Sequence, residues 1–154
     1  GIFLRYGAWK QSWTPDGGMV CFLDVDMAVA AGQAVLRQLR KFNLTQNLLR
    51  SRIAVRCGVN AGEVTIFEDS RLEKIAHRVI DVTGHMQKHA SPNTLWVSAQ
   101  VANHLGDKSG FYPVEKDVDC HRVYEWSPRV SLVEQPRPVF VAEPTKGNAD
   151  PTWA

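Results

Sequence analysis

Residues 71–91, RLEKIAHRVIDVTGHMQKHAS, decide how this chain is read. Leu72, Ile75, Ala76, Val79, Val82, Thr83, Met86 and Ala90 recur at the spacing of one face of an α-helix. Lys74, His77, Asp81, His85 and Lys88 fall on the other face. The expectation is one amphipathic helix over Arg71–Ser91, burying one side and offering a row of titratable groups on the other. Such a helix can form the wall of a polar groove.

The flanking sequence supplies hairpins and further helices. Upstream, Arg52–Val59 reads as a strand, Asn60-Ala61-Gly62 as a turn and Glu63–Phe67 as a returning strand, a second hairpin after a first one near the start. The first runs from residues 2–13 through Thr14-Pro15-Asp16-Gly17-Gly18 into Met19–Leu23. In its turn proline presets φ, and Asp16 sits at the tip. Asp24 or Asp26 then caps a helix to about Phe42, with Ala28, Ala31, Val35, Leu39 and Phe42 as its buried stripe. Downstream come a short strand, Asn93–Val97, and a short helix, Ala99–Leu105, capped by Ser98. Two strand candidates follow, Phe111–Glu115 and Arg122–Trp126. Five prolines after residue 127 mark an arm that docks and then loosens, so the chain divides into a domain over 1–126 and an arm over 127–154. Antiparallel hairpins alternating with helices give an α+β architecture, one sheet with helices on a single face.

Composition bounds the function. A chain of 154 residues, 44% hydrophobic and 22% charged, can bury one real core. A net charge of +2 is too small to argue for nucleic acid or an anionic membrane surface. No apolar run is long enough to cross a bilayer. Cys21, Cys57 and Cys120 contain no CxxC pair, so zinc and a disulfide framework are not expected. A reduced, cytoplasmic setting is the default. The opening Gly1-Ile2-Phe3-Leu4 reads as a boundary inside a larger architecture.

PDGGMVCF (15–22), an alanine-rich helix, RCGVNAGEV (56–64), a long helix and LWVSAQVANHL (95–105) together resemble the catalytic-homology domain of class III nucleotidyl cyclases. That family has a Gly-Asp-Gly turn before a Met-Ala-x-Phe strand and an Arg-x-Gly-[Ile/Val]-x-x-Gly hairpin. A helix with a catalytic asparagine and arginine follows, then a strand ending in Val-Ser. The resemblance covers about residues 6–126. It implies a ferredoxin-like antiparallel sheet with helices, paired head to tail with a second copy or a related cyclase-type chain. It further implies nucleoside triphosphate in the groove between chains, with magnesium or manganese ions assisting closure of the 3′-hydroxyl onto the α-phosphate.

Carried over residue by residue, the family's second metal aspartate falls on Asp16. The ribose-orienting asparagine falls on Asp81 and the transition-state arginine on His85. The two base-reading positions fall on Ser12 and Lys74, neither of which repeats the usual lysine–aspartate pair. Pro15 replaces the first glycine of the turn. The first metal carboxylate belongs to a strand upstream of that turn. Only 15 residues precede Asp16 and none is acidic, so this carboxylate is expected to be absent. An aspartate in a triphosphate site repels its ligand, and a histidine lacks the guanidinium fork. The resulting expectation is a degenerate cyclase-homology domain that dimerises or regulates.

Other readings stand beside it. The chain could be a working cyclase whose opening strand lies in sequence absent here or comes from another subunit. His85 as base with Asp81 as orienter would give histidine-based phosphate chemistry. His85 and His89, four apart, have the spacing of a metal pair on a helix, or of a solvated face. Trp9, Lys10 and Trp13 could stack a base or simply pack a helix. Histidines 77, 85 and 89 at a dimer face would loosen it when protonated near pH 6. Asp16 in Pro-Asp-Gly is also what turn chemistry alone selects.

Overall fold

The computed structural model describes residues 1–69, 71, 72 and 75–128. Of the arm expected over 127–154, residues 129–154 lie outside the described residues, as does Lys74. Helix α1 (Ile2–Arg5) leads into β1 (Ala8–Thr14) and β2 (Gly17–Phe22). Then come α2 (Val25–Thr45), β3 (Arg56–Val59), α3 (Arg78–His89), β4 (Thr94–Ser98), α4 (Ala99–His104), β5 (Tyr112–Pro113) and β6 (Val123–Trp126). β1 and β2 form a separate antiparallel hairpin, and the main sheet runs β3-β4-β6-β5.

This is the expected α+β class, with two differences of arrangement. The second hairpin does not form: residues 61–67 are not strand, and β3 instead pairs parallel with β4, Arg56 opposite Thr94 and Val59 opposite Val97. The helices occupy both faces of the sheet rather than one. The reason lies in β4, whose five residues are all buried. Successive strand side chains point to opposite faces. Leu95 and Val97 pack with Val29 and Leu36 of α2 and Val101 and Ala102 of α4. Trp96 between them packs with Val82, Met86 and Ala90 of α3 and its C-cap. A central strand sandwiched in this way requires two helical layers.

The caps are made by the residues the sequence offers. The Asp24 carboxylate accepts from Met27 N–H at 2.9 Å, opening α2. Asp26 does different work, accepting from Gly106 N–H at 3.1 Å and tying the start of α2 to the loop after α4. Ser98 caps α4 through Val101 N–H. The buried residues of α2 are Val29, Ala31, Gly32 and Leu36: Ala31 is buried as expected, while Val29 and Leu36 take the places of the expected Ala28 and Val35. Gly32 is what lets the helix settle on the sheet, because a Cβ there would lie 3.2 Å from a Leu95 methyl.

The organising helix is shorter than its periodicity suggests. α3 begins at Arg78, with His77 as N-cap. Leu72 is fully buried although it precedes the helix. Upstream of α3 the Leu72 carbonyl accepts from Ile75 N–H at 3.2 Å, a single tight turn outside the α-helix.

A groove on the outer face of helix α3

Helix α3 presents the two faces its sequence predicts. Val82 and Met86 are buried against the sheet, while Asp81, His85 and His89, one turn apart, are exposed. The inward face is fixed at Gly58 of β3, where the helix backbone comes so close that a Cβ would meet Thr83 O at 2.9 Å. The start of the helix is fixed by polar contacts. His77 Nδ1 accepts from Val79 N–H at 3.1 Å, and Asn60 Nδ2 donates to Val79 O at 3.3 Å.

Opposite the outward face stands a tight turn. Val118 and His121 bridge antiparallel, each N–H donating to the other's carbonyl, at 3.0 and 2.8 Å. The two residues between them, Asp119 and Cys120, both have positive φ, 48° and 64°. Two left-handed residues in succession are what a type I′ hairpin turn demands. The turn aims the Asp119 carboxylate at α3, where His85 Nδ1–H donates to Asp119 Oδ2 at 2.5 Å. A carboxylate only accepts, so this contact places the ring proton on Nδ1. That hydrogen bond holds the Asp119 carboxyl below the ordinary carboxylate range, and the charges of His85, Arg78 and His121 act in the same direction. His89 Nδ1–H is committed to His85 O at 2.7 Å.

Between turn and helix lies an open groove of about 610 Å³, lined by residues that include His77, Arg78, Asp81, His85, Asp119 and Cys120. Its wall is mixed in charge, with two carboxylates facing one guanidinium and two imidazoles.

The structure thus brings Asp81 and His85 into one groove. Asp16 and Ser12 lie on the β1–β2 hairpin and are not among the residues lining it. Asp16 Oδ1 accepts from Thr14 Oγ1 at 2.8 Å within its own turn. The partner that orients His85 is Asp119, not the Asp81 expected from helical adjacency. Among the described residues no three His, Cys, Asp or Glu side chains are grouped to hold a metal. Cys57 is a packed core thiol whose burial pushes its pKa up to about 11. Sequence reading missed Asp119, Cys120 and Arg78, and Asp119 carries no turn signature of the Asn-Gly kind that would have marked it.

Scanned against models of known families, the sequence matches none, and it matches no curated protein. Its fold is similar to that of solved structures. One is the crystal structure of an adenylate/guanylate cyclase/hydrolase from Silicibacter pomeroyi. The identity is 17% and the TM-score 0.63, over 84% of this chain and 78% of that one. At that identity the likeness is one of fold: the chain has a nucleotide-cyclase-like α+β architecture.

Proposed function

We propose that this chain is a cyclase-like domain that no longer cyclises triphosphates and acts as a dimerising or regulatory module. The observation that carries this reading is the His85–Asp119 pair. In the family the sequence resembles, that helix position holds an arginine that stabilises developing negative charge. Here it holds an imidazole whose Nδ1–H is engaged by a carboxylate, with Asp81 one turn earlier adding a second. A polyphosphate entering this groove would meet two negative groups where the chemistry calls for a guanidinium fork and a neutral amide. Loss of one such transition-state contact typically costs about 10²–10³ in rate.

The test is direct. Purified chain is incubated with ATP or GTP and Mg²⁺ or Mn²⁺, and its association is followed by sedimentation. The expected result is self-association, or association with a related cyclase-type chain, and no cyclic nucleotide. Cyclic nucleotide whose formation is abolished by Asp16→Ala would replace this reading with an active cyclase using metal at Asp16.

A second reading draws on the same pair. A histidine oriented through Nδ1 by a carboxylate offers Nε2 as a proton acceptor, the arrangement used in general-base catalysis. Water attacking the phosphorus of a phosphate ester in the groove would then lose its proton to His85 Nε2 while the ester P–O bond breaks and the alcohol leaves, taking a proton from solvent. Phosphate release that falls in both His85→Ala and Asp119→Asn would support it, and a chain that releases none would remove it.

A further inference from the structure

The net charge of +2 conceals a segregation. Between Asp26 and Glu63 there is no carboxylate, while Arg37, Arg40, Lys41, Arg50, Arg52 and Arg56 supply six of the chain's 18 lysines and arginines. The remainder holds the other 12 against all 16 carboxylates, so it is acidic and this stretch is basic. Two of the six are engaged along α2. The Arg37 guanidinium lies over the Trp126 ring, 5.0 Å from its centroid, and Arg40 Nη1 donates to Pro128 O at 2.7 Å. Lys41, Arg50 and Arg52 are exposed, at the C-terminal end of α2 and on the loop beyond it.

The same end of the molecule carries apolar side chains in water. Leu44 is 59% exposed, Leu48 98%, Leu49 64% and Ile53 38%. Their backbone is tied together. Asn43 Nδ2 donates to Ile53 O at 2.7 Å, and Asn43 Oδ1 accepts from Ile53 N–H at 3.0 Å. Asn47 Nδ2 donates to Asn43 Oδ1 and to Ser51 O, and Asn47 Oδ1 accepts from Leu49 N–H. Two asparagines thus hold residues 41 to 53 as one tip, with leucines and cations presented together.

The helix dipole alone favours cations near the end of α2, but it gives no reason for leucines in water beside them. Apolar side chains rimmed by lysine and arginine suit the surface of an anionic bilayer. There the leucines enter the acyl boundary and the cations stay with the headgroups. Nucleic acid would engage the cations through its phosphates and leave the leucines wet. We propose that this tip, led by Leu48 and Leu49 with Lys41, Arg50 and Arg52 around them, docks the chain on an anionic lipid surface. The inference is independent of what the α3 groove does.

Co-sedimentation of the 154-residue chain with lipid vesicles tests it. The expected result is binding to vesicles of phosphatidylcholine mixed with phosphatidylserine, weaker at high salt, and no binding to phosphatidylcholine alone. Leu48→Ser should lower the partition coefficient by about tenfold or more. Arg50→Gln combined with Arg52→Gln should lower it by about thirtyfold, near fivefold for each cation. Circular dichroism checks that both variants stay folded, as substitutions at exposed positions should. Absence of binding to the phosphatidylserine vesicles overturns the proposal. So does binding that the arginine variant weakens and Leu48→Ser leaves intact, which would be an anion contact without insertion. Self-association without lipid that Leu48→Ser abolishes would overturn it too, making a second copy the occupant.

Discussion

Asp119 and Cys120 are two side-chain-bearing residues held in left-handed backbone, a conformation that costs about 1–3 kcal/mol each where the surroundings impose it. What keeps them there is the Val118–His121 bridge on one side and His85 on the other. Two consequences follow from their chemistry. Cys120 occupies the second central position of the turn, where glycine is favoured, and its side chain is exposed. Cys120→Gly should therefore stabilise the chain, by about 0.5–1 kcal/mol in urea denaturation, since little packing is lost and the left-handed penalty disappears. The Asp119 carboxyl is depressed in the folded state by the His85 hydrogen bond. A depressed acid binds fewer protons folded than unfolded. Its stabilising contribution is therefore present above the unfolded value, near 3.9, and is lost as pH falls through the lower folded value. The melting temperature of Asp119→Asn should lie below wild type at neutral pH and converge with it in strong acid. A gap that widened on acidification would reverse the sign argued here. Neither residue announces its role in the sequence, because Asp-Cys lacks the glycine that marks such turns and its partner His85 lies 34 residues away.

At the scale of elements, α3 against β3 is the contact that positions the groove. A Cβ on Gly58 would lie 2.9 Å from Thr83 O, 3.0 Å from Gln87 N and 3.3 Å from Gln87 Cβ. Two of those atoms are helix backbone and cannot rotate away. Gly58→Ala should destabilise by about 1–3 kcal/mol, the usual cost of overpacking a closed contact. Gly84, in the middle of the same helix, meets nothing within 4 Å. Gly84→Ala should instead gain about 0.5–1 kcal/mol from helix propensity. Opposite signs from the same substitution, read by urea denaturation, would separate close approach from general sensitivity of the helix. These elements also show how far local pattern reaches. The β1–β2 hairpin, the Asp24 and Ser98 caps and the two faces of α3 were legible, because each depends on residues within a few positions of one another. The partner of β3 was not. Glu63–Phe67 is near in sequence and alternates plausibly, yet Thr94–Ser98, some 38 residues on, wins because it is buried on both faces. The run Leu95-Trp96-Val97 carried the signal of two covered faces, and the helices' division between those faces follows from it. The start of α3 was overextended because Leu72 packs in the core from outside a helix, which periodicity alone does not distinguish.

The whole molecule divides into a main sheet with its helices and a two-stranded hairpin standing apart. A lone hairpin is marginal in water. This one is held by Phe3, whose ring lies 5.6 Å from Trp13 and 6.4 Å from Phe22, and by Lys10, whose Nζ donates to Phe67 O and Glu68 O. Trp13 is also seated across the strand pair on Gly18, where any Cβ would strike its ring. Its position is thereby restricted, yet 55% of it faces solvent, with Trp9, Leu4 and Leu23 also exposed on the same unit. A positioned, half-exposed tryptophan is the kind of side chain that dominates a protein interface. If the proposed association uses this hairpin, Trp13→Ser should weaken it by about 2 kcal/mol, close to thirtyfold in Kd. Leu48→Ser, at the opposite end of α2, should leave it unchanged. Sedimentation equilibrium on both variants, with circular dichroism to show each remains folded, reads the difference. Equal dissociation constants for Trp13→Ser and the wild type would take the hairpin out of the interface.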